Sequence, residues 1–208
     1  GGEANNGSTH VEQRRLDRAY SGNDIRHRWV ASSVYELPWG RGRRFPVENP
    51  VLNGIIGGWG LGVILEARTG SPYGIVEQLN LTNTFSHGQR PNRVCDQTLP
   101  SGRSRAEMIN QYFDAACFQA PGEGIFGNAA RNVGFGPGFL GLDASFHKYF
   151  PITEQWRIQF RTDIFNLPNR PQFANPGLQR GRAGFGQLSS TLNGSTGRQF
   201  QFSLRLEF

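Results

Sequence analysis

The chain ends on RQFQFSLRLEF, residues 198–208, where Phe200, Phe202, Leu204, Leu206 and Phe208 take every second position and Gln199, Gln201, Ser203, Arg205 and Glu207 fall between them. A side-chain period of two commits such a segment to an extended strand with one apolar and one polar face. The pattern recurs four times upstream. In 27–37, Trp29, Ala31, Ser33, Tyr35 and Leu37 alternate with Arg28, Val30, Ser32, Val34 and Glu36; in 58–70, Trp59, Leu61, Val63, Leu65 and Ala67 alternate with Gly60, Gly62, Ile64, Glu66 and Arg68. From 139, Leu140, Leu142, Ala144 and Phe146 oppose Gly141, Asp143, Ser145 and His147, and after PITEQ, Trp156, Ile158, Phe160, Thr162 and Ile164 oppose Arg157, Gln159, Arg161 and Asp163.

These segments predict an all-β fold, an antiparallel meander of about five long strands with long loops and one short helix. The segments are 1–26 loop, 27–70 strand pair, 71–137 long loop, 139–166 hairpin, 167–197 loop and 198–208 terminal strand, together one barrel segment over 1–208. Within 167–197, FGQLSSTL is a candidate small extra strand. The helix is expected in SRAEMINQYF, where Ser104 and Glu107 have capping-box spacing and Met108, Ile109, Tyr112 and Phe113 recur at helical intervals. Composition agrees: 37% of the 208 residues are hydrophobic, yet 28 are Gly and 16 are Phe, which favours strands joined by irregular connections over helices.

The net charge of +6 invites a polyanion partner. The arginines are spread along the chain, however, with no stripe or recognised nucleic-acid motif, so no nucleic-acid partner is expected. Cys95 and Cys117, in a polar stretch with no His at ligand spacing, read more readily as a disulfide than as half a zinc site. Such a bond implies an oxidising compartment and about 3 kcal/mol of stabilisation by loop-closure entropy. No segment approaches the roughly 18 apolar residues of a membrane helix, which leaves a β-barrel open.

Strands of about 11 residues, tilted near 40°, span roughly 28 Å, close to the apolar band of an outer-membrane barrel. A soluble antiparallel sheet with one face on a core alternates in the same way. Charges at central positions of the polar faces and connections that alternate short and long favour the barrel. On that reading 27–37, 139–150 and 198–208 run toward the periplasm, the turns at 38–57 and 151–155 lie on the periplasmic side, and the cysteine loop lies outside the cell.

The stretches DIRHRWVASSVYELPWGRGRRF, GGWGLGVILEARTGSPY, RPNRVC, YFDAACFQAPGEGIFGNAARN, GPGFLGLDASFHKYFPITEQWRIQFRTDIFNLPNRPQF and FSLRLEF occur in this order. Together they resemble the C-terminal end of TonB-dependent outer-membrane receptors, most nearly the acidobacterial type with an N-terminal carboxypeptidase-regulatory-like domain. The resemblance implies a plugged barrel of about 22 strands that imports a scarce ligand. It also implies that Phe200, Phe202, Leu204, Leu206 and Phe208 form the signal read by the barrel-assembly machinery. Arg157, Arg161, Asp163, Arg205 and Glu207 would be lumen charges.

The expected partners are the remaining strands and plug of a full receptor, with lipid or an apolar partner surface on the aromatic face. Five strands do not close, and bare edges at 27–37 and 198–208 invite pairing. The second expectation is therefore a stand-alone structural β-protein whose edges pair between identical copies into an extracellular filament or tube. Localisation is outer membrane or cell surface. No catalytic, cofactor-binding or metal residues are assigned: His10, His27, His87 and His147 are scattered, no nucleophile motif occurs, and GRGRR at 40–44 lacks the Lys-Ser/Thr of a phosphate loop.

Overall fold

Five long strands carry the alternating segments: β1 (Arg28–Glu36), β2 (Trp59–Arg68), β3 (Phe139–Pro151), β4 (Arg157–Phe165) and β5 (Gln199–Glu207). In the computed structural model, which describes residues 11–84 and 89–208, they form one sheet in the order β1-β2-β3-β4-β5. The chain thus folds as an all-β antiparallel meander in which each strand pairs with the next. β4 and β5 are in register from Phe165↔Gln199 to Arg157↔Glu207, and β3 meets β4 from Ala144↔Ile164 to Pro151↔Arg157. Leu37 N–H donates to the Trp59 carbonyl, closing the β1–β2 ladder at one end.

The register sorts the side chains. Ala144, Phe146, Lys148 and Phe150 lie beside Ile164, Thr162, Phe160 and Ile158, which in turn lie beside Phe200, Phe202, Leu204 and Leu206. On the opposite face, Ser145 and His147 sit beside Asp163 and Arg161, and Arg205 and Glu207 beside Gln159 and Arg157. Gly60 and Gly62 extend that face into β2, where a Cβ on Gly60 would lie 2.4 Å from the His147 ring and one on Gly62 would lie 2.5 Å from Ser145 Oγ. The two glycines in mid-strand therefore make room for their neighbours on β3.

Contacts divide the chain into two units: a sheet unit of Arg28–Ala67, Leu140–Pro171 and Ser195–Phe208, and a loop unit drawn from the segments up to His27, Arg68–Phe139 and Gln172–Gly194. The loop unit has its own core, Tyr73, Ile75, Phe113, Cys117 and Phe118, against which Tyr112, Val133, Leu178 and Phe185 pack. The Phe113 ring meets Phe118 edge-on at 5.7 Å and Phe185 at 5.2 Å. Short ladders stitch the unit together. Pro72–Tyr73 pairs antiparallel with Gly134–Phe135, Asn92–Arg93 antiparallel with Phe118–Gln119, and Val76–Glu77 parallel with Gln179–Arg180. Cys95 and Cys117 form the expected disulfide across 22 residues.

The expected helix forms as α2 (Arg105–Asn110), with both hydrogen bonds of the capping box: Glu107 N–H to Ser104 Oγ at 3.3 Å and Ser104 N–H to Glu107 Oε2 at 2.7 Å. Three expectations are corrected. The connection 38–57 is more than a turn, since it contains a helix, α1 (Pro50–Ile56), whose first amides are accepted by the Asn49 side chain and whose first position holds Pro50. FGQLSSTL forms no continuous strand, because Gly186 at φ 79 turns the backbone out of the extended region; isolated bridges at Phe185 and Thr191 are what remains of it. The 1–26 loop contains a 3-10 helix, Val11–Asp17, anchored where Arg131 N–H donates to the Leu16 carbonyl at 2.8 Å; residues 1–10 of that loop lie outside the described residues.

Two outcomes follow. Gly60→Val drives a side chain into His147 and lowers chemical stability by about 1–3 kcal/mol, and the double variant Gly60→Val/His147→Gly recovers most of the loss in denaturant midpoints. Replacing both cysteines by serine lowers loop-unit stability by about 3 kcal/mol, read as faster amide exchange at 92–93 and 118–119 while β4 and β5 keep their protection.

Candidate functional site: the two faces of the sheet and the loop-unit cavity

Charge on the polar face is organised in pairs. Arg157 Nε donates to Glu207 Oε2 at 2.6 Å across β4 and β5, and Arg205 reaches the same carboxylate at 3.9 Å. Arg161 grips Asp163 two residues along its own strand, with Nε 2.9 Å from Oδ1. Arg28 and Glu66 repeat the cross-strand pairing at 2.9 Å on β1 and β2. Asp143 serves the backbone instead, accepting the Asn166 amide at 2.8 Å as the chain leaves β4. All five residues expected as lumen charges therefore share one face and bond among themselves. Exposed pairs of this kind contribute little to stability, and they leave this face polar.

The apolar face is uncovered over much of its area. On β5, Phe202 is 67% and Phe208 89% exposed, and Phe200, Leu204 and Leu206 are also exposed. Phe202 stacks on Phe160 at 6.5 Å in the middle of the two strands, and Phe208 stacks on Trp156 at 5.2 Å at the end of the sheet where β4 begins and β5 stops. The five residues expected as an assembly signal thus form one row on an edge strand.

At that same end α1 lies against the apolar face. A cleft of about 610 Å³ opens there, lined by Leu37, Trp39, Ile55, Ile56, Trp59, Phe146, Phe160 and Thr162. The sequence pattern missed what holds it together. Lys148, the only lysine in the chain, belongs by register to the oily row, yet it is 4% exposed. Its Nζ donates to the Gly54 carbonyl at 2.6 Å and to the Ile55 carbonyl at 3.4 Å, and it lies 5.6 Å from the Trp59 ring centroid. Those carbonyls are among the last of α1 and lack helical partners, so a compact ammonium with three donors suits them.

In the loop unit a polar cavity of about 690 Å³ is bounded by Arg68, Tyr73, Arg131, Asn132, Asn175 and Asn193, among others. Its walls come from five separate chain segments. Burial holds the Tyr73 hydroxyl well above the ordinary tyrosine value, so Tyr73 meets the cavity as a neutral phenol. Nearby, Glu77 is almost wholly buried and receives Arg180 Nη1 at 3.0 Å, tying the parallel ladder together. Cys95, Asp114 and Cys117 bring ligand-type atoms within 4.8 Å of one another, but sulfurs joined in a disulfide offer no thiolate to a metal. Among the described residues no helix is long and apolar enough to cross a membrane, which says nothing of strands.

A family model described as an outer membrane beta barrel domain matches residues 1–201. No curated protein and no solved structure matches the chain.

Glu77→Ala leaves Arg180 without its buried partner and destabilises the loop unit by about 3 kcal/mol in denaturant titrations. Acid has a specific local effect at α2. Hydrogen bonds from Ser104 hold the Glu107 carboxyl below the usual carboxylate range, so its contribution is complete above the unfolded-chain value and disappears as pH falls through the lowered folded value. Amide exchange at 105–110 should accelerate through that acid window, and Glu107→Gln should flatten the response.

Proposed function

Because the chain belongs to the outer membrane beta barrel domain family and so resides in the outer membrane, we propose that it forms the C-terminal wall of a TonB-dependent receptor, with strands and a plug supplied beyond these 208 residues. The observation that carries the reading is the two-faced sheet. One face is a continuous apolar surface of Phe, Leu, Ile and Trp, the other a set of ion pairs, and β1 and β5 stand at its two edges. A wall with lipid on one side and a wet lumen on the other requires this division. Unpaired edges in lipid leave backbone groups unsatisfied, so neighbouring strands must complete the ladder.

The finer identification rests on the ordered sequence stretches that resemble such receptors. On it, Arg157, Arg161, Asp163, Arg205 and Glu207 keep the lumen hydrated. The row Phe200, Phe202, Leu204, Leu206 and Phe208 is presented to the assembly machinery as the last strand. The reading assigns the chain no catalytic step. Long connections follow β2 and β4, and shorter ones follow β1 and β3, so the first pair faces outward and the second pair the periplasm. The same edges could instead pair between copies into a filament, the reading a detergent-free polymer would support.

Deleting residues 199–208 from the full protein tests the proposal. The expected outcome is loss of the folded, heat-modifiable species from outer-membrane fractions, with Phe208→Ala retaining part of it. Normal insertion of the deletion variant would overturn the reading. So would polymers that sediment from detergent-free buffer and retain β-structure.

A further inference from the structure

The connection between β1 and β2 displays a helix whose apolar side chains the chain itself leaves open. No residue of α1 is buried; Val51 is 74% exposed, and Leu52, Ile55 and Ile56 are exposed with it. The helix is nonetheless firmly held. Besides the Asn49 cap and Lys148, Trp59 Nε1 donates to the Ile55 carbonyl at 2.8 Å, and the Arg41 amide donates to Asn53 Oδ1 at 3.1 Å. A seven-residue helix has no independent stability in water. Fixing one so that Val51, Leu52, Ile55 and Ile56 stay uncovered, the last two along the cleft, is favourable where a non-aqueous phase meets them.

A cationic turn adjoins the cleft. Trp39, which lines it, stacks on Phe45 at 6.5 Å, and the Gly40 amide donates to the Phe45 carbonyl at 3.1 Å, closing the loop that carries Arg41, Arg43 and Arg44. All three arginines are exposed. Arg43 pairs with Glu36, and Arg44 lies over the Phe45 ring at 5.7 Å. Guanidinium forks on the loop that supplies Trp39 to the apolar slot match a phosphate joined to a hydrocarbon chain.

We propose that the β1–β2 connection is a binding site for an anionic phospholipid, with one acyl chain in the cleft between α1 and the apolar face and the phosphate on Arg41 and Arg44. The inference rests on the reading that the apolar face meets lipid, and it adds a specific lipid at a specific place. The cleft, at about 610 Å³, falls in the range of small-molecule sites. The connection lies at the periplasmic end of the strands, where basic residues meet phospholipid headgroups.

The test uses the full-length protein in vesicles of equal parts phosphatidylcholine and phosphatidylglycerol, with p-benzoylphenylalanine placed at Ile55, or separately at Ile56, both of which line the cleft. Irradiation followed by mass spectrometry counts the lipid adducts. Phosphatidylglycerol should exceed phosphatidylcholine by about five-fold for each arginine engaged, and R41Q/R44Q should return the ratio to near one. A probe at Leu204, on the open apolar face, should collect both lipids equally in either background. Equal yields of the two lipids at Ile55 and Ile56 with lipid adducts at Leu204 would overturn the site and leave the membrane reading intact. Absence of lipid adducts at Leu204 would overturn the membrane reading, and the site with it.

Discussion

Antiparallel register is the constraint on which this chain depends. Because side chains alternate, sliding β5 by one residue along β4 would send Phe200, Phe202, Leu204 and Leu206 to the side occupied by Arg161 and Asp163, and would bring Arg205 and Glu207 into the oily row. The cross-strand apolar contacts on one face and the cross-strand ion pairs on the other, Arg157–Glu207 and Arg28–Glu66, enforce the same alignment. The stacked rings of Phe160 and Phe202 and the Arg157–Glu207 pair are two readings of one register, taken from opposite sides of the backbone.

The two units meet the demands of folding by different means. In the sheet unit the apolar residues are mostly left outward, so stability comes from the hydrogen-bonded ladder and from the medium that covers that face. The loop unit instead carries a core of its own. Phe113 sits amid Tyr73, Phe118 and Phe185, a disulfide closes the segment, and a buried carboxylate–guanidinium pair fixes the parallel ladder.

How much of this was legible in the sequence follows from how local each signal is. Strand positions agree within a residue or two because a period of two needs no information beyond the strand itself. The cap of α2 was legible because Ser104 and Glu107 are three residues apart. α1 was obscured by the prolines and glycines around it, although Asn49 followed by Pro50 carries an N-terminal signal of its own. Lys148 was invisible as an anchor because its acceptors, Gly54 and Ile55, lie more than 90 residues away in the sequence, with separations of 94 and 93. The cavity beside Tyr73 left no trace either, since its walls are drawn from segments that share no spacing.

Sequestering Lys148 has a chemical consequence for the whole molecule. With its only side-chain ammonium enclosed between the Trp59 and Phe150 rings and two carbonyls, the permanent side-chain cations this chain shows its surroundings are all guanidinium groups. Amine-directed reagents should therefore find no open side chain to label, and lysine-specific proteases no accessible cleavage point, for as long as α1 stays seated.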